Sequence, residues 1–176
     1  MASLPTIQIF SPVTDLDVVT LTKQEAGRLN PMMADYLAYM SEFTEVSQDK
    51  DGQLIYPYLA HYWREPDRFA FILEADGQDC GFALVRKVLD PDTGHTYSSM
   101  AEFYIAPGHR HLGLGRAAAK IVMQRFPGPW EVSVLKNNLL ARSFWPNVLD
   151  ELCVKEIEPK LLCTDVGTHF RYDLTV

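Results

Sequence analysis

Residues Ile105 to Arg116 read I-A-P-G-H-R-H-L-G-L-G-R, and no other stretch limits the fold of this chain as tightly. Met100-Ala101-Glu102-Phe103-Tyr104 before it is apolar and aromatic, which predicts a strand. Ala117-Ala118-Ala119-Lys120-Ile121-Val122 after it is strong helix-forming sequence. The expected unit is therefore a strand, a Gly-rich basic turn, then a helix. A helix N-terminus carries unpaired N–H groups and partial positive charge, which suits a phosphate. Gly113 and Gly115 lack a Cβ and let backbone approach a ligand closely. Arg110 and Arg116 add fixed positive charge near those donors.

Two readings of the loop compete. Gly113-x-Gly115-x-x-Ala118 fits the dinucleotide fingerprint, and Glu131 lies about the right distance on for a ribose contact. A dinucleotide turn follows its strand at once, however, whereas here Pro107 to Leu112 intervene. Such a unit would also begin past mid-chain and leave little room for a substrate domain. The other reading rests on two motifs. Ile105-x-Pro107-x-x-Arg110-x-x-Gly113-x-Gly115 resembles the pyrophosphate loop of the GNAT superfamily of acyl-CoA N-acyltransferases. Downstream, Asn138-x-x-Ala141-x-x-Phe144-Trp145 resembles the N-x-x-A-x-x-F/L-Y/W helix of the same families. Both stand in the usual order and separation. Tyr62-Trp63, Gly81 to Val85, Glu102-Phe103-Tyr104, Phe126-Pro127-Gly128 and Trp130-Glu131-Val132 also look like a poorly characterised group of acetyltransferases within it. The likeness spans roughly residues 15 to 150.

The resemblance implies an α/β (α+β) fold: a mixed, mostly antiparallel central sheet, about four flanking helices, and a splayed pair of parallel strands for acyl-CoA. Those strands would be the one ending at Ile105 and the one starting at Trp130. It implies that backbone near Phe103 and Ile105 pairs with the pantetheine arm. The pyrophosphate would be held by Arg110, His111, Leu112, Gly113, Leu114, Gly115 and Arg116, and Asn138 would bond the pantetheine arm or the acceptor. Acetyl-CoA is the implied cosubstrate, without a metal, and the acceptor is a primary amine, most readily of a small molecule. A non-catalytic acyl-CoA-binding domain is the alternative, because many relatives carry Tyr where Trp145 stands and because Pro146 departs from the pattern. A homodimer is left open.

Length and charge narrow the classes further. A chain of 176 residues suits one domain, taken here as residues 1–176. A net charge of −7 argues against general nucleic-acid binding, which needs a basic footprint, and is compatible with a cationic amine. Cys80, Cys153 and Cys163 form no C-x-x-C pair, so reduced, mostly buried thiols in a cytoplasmic protein are expected. The N-terminus lacks a secretory apolar region and no run is long enough to span a bilayer.

Along the chain, Thr6–Phe10 alternates weakly as a short strand or ordered tail, Ser11-Pro12 marks a turn, and Asp17–Leu21 reads as the first firm strand. Thr22 and Glu25 form a capping box for a helix in which Leu29, Met33, Tyr36, Leu37 and Met40 share a face, with Pro31 kinking or dividing it. Core packing is the favoured role of that face. Tyr56–Trp63 is dense in aromatics and predicts a short helix over residues 58–64, serving as packing or as the wall of an amine pocket. Ala75–Asp79 turns a hairpin with Gly77 at φ > 0, and Pro91–Gly94 makes the next turn. A helix from Gly113 stops at Pro127-Gly128-Pro129, and Trp130–Leu135 is the following strand. Pro146 should end or bend the helix carrying Trp145, and Val154–Ile157 and Thr168–Thr175 read as closing strands.

Glu102 is the candidate general base, directly or through a water, because a carboxylate among Ala101, Phe103 and Tyr104 can have a raised pKa. The competing reading pairs it with a cation or gives it a structural water. Trp145 offers an indole N–H, which is no useful acid, so no proton donor is assigned. His109-x-His111 lacks a third ligand at metal spacing, and a phosphate-side or solvent role is expected.

Overall fold

The computed structural model describes residues 15–152, 158–164 and 167–176. The expected strand at Thr6–Phe10, the turn at Ser11-Pro12, the strand at Val154–Ile157 and Cys153 lie outside the described residues. One seven-stranded sheet runs in the order β1-β2-β3-β4-β5-β7-β6. Its strands are β1 (Leu16–Thr20), β2 (Arg68–Ala75), β3 (Gln78–Leu89), β4 (Thr96–Ile105), β5 (Pro129–Leu135), β6 (Lys160–Thr164) and β7 (Gly167–Thr175). Every neighbouring pair is antiparallel except β4 and β5, which are parallel. The α-helices are α1 (Asn30–Met40), α2 (Leu114–Gln124) and α3 (Leu139–Leu152). This is the mixed α/β fold the loop and helix motifs imply, with three α-helices and short 3₁₀ turns among the described residues rather than four helices.

Local chemistry explains most boundaries. The Glu25 carboxylate accepts from the Thr22 N–H at 3.1 Å and from the Thr22 hydroxyl at 2.7 Å. The segment it starts is a 3₁₀ helix, Lys23–Leu29, and Pro31 then falls in the first turn of α1, so the run is divided in two as expected. Between β2 and β3 the turn is two residues, Asp76 and Gly77, with φ of 49° and 77°. Positive φ at both central positions matches the twist of the flanking strands. The aromatic stretch holds a 3₁₀ helix only over Leu59–Trp63. After α2, the Phe126 carbonyl accepts the indole N–H of the fully buried Trp130 at 2.8 Å. Cys80 is buried as expected, but Cys163 is exposed, because β6 is the outer strand of the sheet.

Two cores cover the two sheet faces. On one, α2 and α3 pack Leu114, Ala118, Val122, Val148 and Leu149 on Phe71, Val85, Met100 and Val132. On the other, α1 packs Met33, Tyr36 and Leu37 on Ile72, Phe82, Leu84 and Tyr104. Strand β4 changes face partway along. Strict alternation would put Met100 and Tyr104 on one side. They belong to opposite cores because the register with β3 jumps from Leu84↔Glu102 to Val85↔Met100, leaving Ala101 as a bulge. The bulge sits at the point where β4 meets the functional cleft.

Of the two outcomes expected at Pro146, an end to the helix does not occur; α3 runs on to Leu152 with the proline inside it. The missing N–H would have bonded the Arg142 carbonyl, a loss of about 3 kcal/mol in an unsupported helix. Trp145, Val148 and Leu149, on both sides of the proline, are buried against the sheet. At about 1.5–3 kcal/mol each, their burial outweighs that loss. Pro146→Ala should therefore stabilise the protein by about 1–3 kcal/mol, read as a raised urea midpoint at unchanged slope; an unchanged midpoint would mean the helix already accommodates the ring without strain.

A candidate acyl-transfer cleft

Strands β4 and β5 pair only over Ser98–Met100 and Trp130–Val132. Beyond that they separate, while β3 still holds β4 through Ile105 and β7 holds β5 through Leu135. The sheet thus opens without either strand losing its outer partner. The Ala106 N–H bonds the Cys80 carbonyl at 2.8 Å. By alternation, Phe103 and Ile105 aim their backbone groups at the gap. The resulting cleft holds about 600 Å³ and takes in Glu102, Phe103, Ile105, Val134, Asn138 and Phe144.

Its far end is the start of α2. Gly113 has φ +80° and His111 +63°, which turns the chain sharply into the helix. The first helical bond is Ala117 N–H to the Gly113 carbonyl at 3.1 Å, so the N–H groups of Leu114, Gly115 and Arg116 have no helical acceptor. A Cβ on Gly115 would stand 3.3 Å from both Ile105 Cγ1 and Phe144 Cε2, tighter than ordinary contact. Its absence lets the first turn of α2 settle onto β4 and α3. His111, Gly113, Gly115 and Arg116 line the cleft. The side chains of Leu112 and Leu114 do not: Leu112 is exposed and Leu114 enters the α2 core. These two can serve a ligand only through backbone. Arg116 is paired with Glu151 at 2.8 Å, so its charge is partly compensated.

Glu102 faces α1 and lines the cleft. The Tyr36 hydroxyl donates to its carboxylate, and Tyr56 lies near enough to favour its charged form. Poor hydration in this surround pushes the Glu102 pKa up to about 7; the two nearby tyrosines and the charge of Arg86 only partly offset it. No ion pair to Glu102 occurs among the described residues, which disposes of the cation-paired reading there. Tyr36 and Tyr56 were missed as site residues. Tyr36 looks like any apolar position of an amphipathic helix, and only its hydroxyl and its three-residue spacing from Tyr39 hint at a polar target.

Three further side chains cross the gap on the α1 side. Arg110 donates from Nε to the Ile105 carbonyl at 2.8 Å, and its guanidinium lies 5.5 Å from the Tyr39 ring centroid and 5.6 Å from that of Tyr104. The Tyr39 hydroxyl donates to Asn138 Oδ1 at 3.0 Å. The same oxygen accepts the Ala141 N–H at 3.0 Å, which makes Asn138 the N-cap of α3. Trp145 is buried, 5.4 Å from Phe103 and 5.2 Å from Phe144 between ring centroids. Among the described residues no cluster of three His, Cys, Asp or Glu could hold a metal, and no helix is long and apolar enough to cross a membrane.

Comparison with known proteins accords with this geometry. An acetyltransferase from Thermus thermophilus superposes with a TM-score of 0.63 at 18% identity, covering 94% of this chain and 100% of that one. An aminoglycoside acetyltransferase from an uncultured soil metagenomic sample, in complex with sisomicin, gives 0.58 at 11% identity, covering 76% and 86%. Arabidopsis thaliana NAA60, in complex with a bisubstrate analogue, gives 0.56 at 11%, covering 92% and 98%. At these identities the likeness is one of fold. No curated protein sequence matches the chain. The model of the acetyltransferase (GNAT) family matches residues 35–147, more than half of the chain, from α1 through most of α3. The chain belongs to the acetyltransferase (GNAT) family.

Proposed function

We propose that the protein moves an acetyl group from acetyl-CoA to a primary amine of a small molecule, by direct attack in a ternary complex. The observation that carries this is Glu102: a carboxyl group with a pKa of about 7, facing a cleft that ends in an unpaired helix N-terminus. The residues present fit the cosubstrate. The gap-facing backbone of Phe103 and the N–H of Ile105, whose carbonyl already accepts from Arg110, offer strand-like partners to an extended amide-bearing arm where β5 no longer pairs with β4. The N–H groups of Leu114, Gly115 and Arg116 offer donors to a pyrophosphate. Acetyl-CoA supplies an activated acyl thioester.

The chain's own contribution is then positioning and proton transfer. A protonated amine cannot attack, and a base with a pKa near 7 is half ionised at neutral pH, so it can accept that proton directly or through a water. The Tyr36 hydroxyl holds the Glu102 carboxylate. Side-by-side binding of two substrates supplies much of the remaining acceleration. Asn138 is partly committed, since its Oδ1 serves Ala141 and Tyr39; its amide nitrogen is the group suited to a pantetheine carbonyl.

Two measurements test this reading. Calorimetric titration should show binding of acetyl-CoA and none of NADH, followed by free-thiol release with one or more members of an amine panel. Binding of acetyl-CoA with no thiol release from any amine would leave an acyl-CoA-binding domain instead, a reading favoured by the apolar packing of Trp145. Gly113→Asp should weaken acetyl-CoA binding at least tenfold, at a cost in stability of about 1–2 kcal/mol. Any side chain is strained at a φ of +80°, Asp less than most, and no atom lies within 4 Å of the added Cβ, so a tenfold loss of affinity in the folded variant reports the carboxylate set against the phosphates. Unchanged affinity in that variant would remove the loop from the site.

A further inference from the structure

Arg110 does not sit as a charge beside the α2 N-terminus. Helix α2 packs on the sheet face that carries Phe103 and Ile105, whereas the Arg110 guanidinium is stacked between Tyr39 of α1 and Tyr104, on the face that carries Glu102. Its Nε is spent on the Ile105 carbonyl, which fixes the plane of the fork. It lies over the rings of both Tyr39 and Tyr104. A guanidinium so clamped loses little freedom when it binds.

Among the described residues its charge meets no carboxylate. Arg28, Arg68, Arg116 and Arg171 each have one within ion-pair distance; Arg64, Arg86, Arg125 and Arg142 do not either, but none of these four lines the cleft. Yet it lines the same cleft as Glu102. A rigid, uncompensated cation in a cleft of a chain with net charge −7 is a site for an anion. Spacing restricts which anion. Glu102 and Tyr104 are two residues apart on one face of β4, about 6.6 Å along the strand. The Arg110 Nε sits on the carbonyl of Ile105, one residue farther along the strand. A group that pairs with Arg110 while an amine meets Glu102 must therefore be several bonds removed from that amine.

We propose that Arg110 is a specificity-determining residue on the acceptor side of the cleft, pairing with the carboxylate of an acceptor whose primary amine is separated from it by an aliphatic spacer, as in an ω-amino acid. This inference rests on the amine-acetylation reading and adds the second functional group of the acceptor. It also reassigns a charge that the loop motif alone would place on the cosubstrate phosphates. Tyr39 and Tyr104 hold the guanidinium, and Asn138 holds Tyr39, so the anion site is anchored on β4, α1 and the start of α3 together.

The test compares ω-amino acids with n-alkylamines of matched length, from glycine and methylamine to 6-aminohexanoate and hexylamine. Each is titrated calorimetrically into the full chain, alone and saturated with desulfo-CoA. In the wild type the longer amino acids should bind at least tenfold tighter than their alkylamines, with no such gain for glycine. Arg110→Gln should bring each pair within twofold. Equal affinities within each pair in the wild type overturn the proposal, and that comparison needs no variant to fold. So does a carboxylate preference that survives Arg110→Gln, or a variant that loses acetyl-CoA affinity while its preference among amines is unchanged. Failure of acetyl-CoA to bind would instead count against the acetyl-transfer reading, and the titrations of the chain alone would still decide the role of Arg110.

Discussion

Glu102→Gln should lower kcat by about 10²-fold or more at pH 8, the scale of a lost general base, while leaving the acetyl-CoA Kd within a factor of two. In the wild type, kcat/KM should rise with pH through an ionisation near 7, since the base acts only when deprotonated and burial sets its pKa at about 7. That acid limb should vanish in the variant. A stability readout separates catalysis from damage. The folded-state pKa lies above the ordinary value of 4.5, so folding favours the protonated form. The associated stability is fully present below about pH 4.5 and is lost as the pH rises through about 7. At about 1.4 kcal/mol per tenfold change in proton affinity, the ceiling on that loss is about 3 kcal/mol. Glutamine cannot ionise, and its Oε1 can still accept from the Tyr36 hydroxyl. Glu102→Gln should therefore be the more stable protein at pH 8, by about 1–3 kcal/mol, and lose that advantage near pH 5. A variant that is slow because it is unstable would sink the assignment, as would one with a normal rate at every pH.

Gly81→Ala should be the most destabilising single methyl addition in the sheet, costing about 3 kcal/mol or more. A Cβ at Gly81 would stand 2.3 Å from the Tyr104 carbonyl oxygen, with Ile105 Cδ1 and Leu73 Cδ1 at 3.0 and 3.2 Å. The first of these is backbone and cannot rotate away, so β3 and β4 must part where Gly81 faces Ile105. That parting would also shift the strand that carries Glu102, so acetyl-CoA binding should weaken along with the urea midpoint. Gly27→Ala is the control. Nothing lies within 4 Å of its Cβ and its φ is not positive, so its effect should stay within about 0.5 kcal/mol. A midpoint for Gly81→Ala equal to that of Gly27→Ala would contradict the packing described.

Features that depend on a few consecutive residues were legible in the chain alone. The Asp76-Gly77 turn, the Thr22–Glu25 box, the break at Pro31 and the strand–loop–helix unit around Gly113 each follow from backbone sterics or from hydrogen bonds spanning four residues or fewer. The fold class and the opening between β4 and β5 followed from the two motifs that share that loop and the helix after β5. Pro146 shows where local rules stop. The proline penalty is real, but three side chains buried on the sheet exceed it, and only the packed structure supplies them.

The site itself was decided at long range. Glu102 could be picked out as an acid on the central strand, but not the face it would take, because a bulge at Ala101 interrupts the alternation on which such a reading depends. Its partner Tyr36 is 66 residues away in the chain. Arg110 is the sharpest case. Its sequence neighbours place it beside a phosphate loop, while Tyr39 of α1 and Tyr104 of β4 turn its guanidinium to the other face. Sequence by itself determined the turns, caps and helix starts of this protein, because these are set by short-range sterics and hydrogen bonding. Only the tertiary structure decided which charges face the cleft, because the direction of a side chain is settled by the distant surfaces against which it packs.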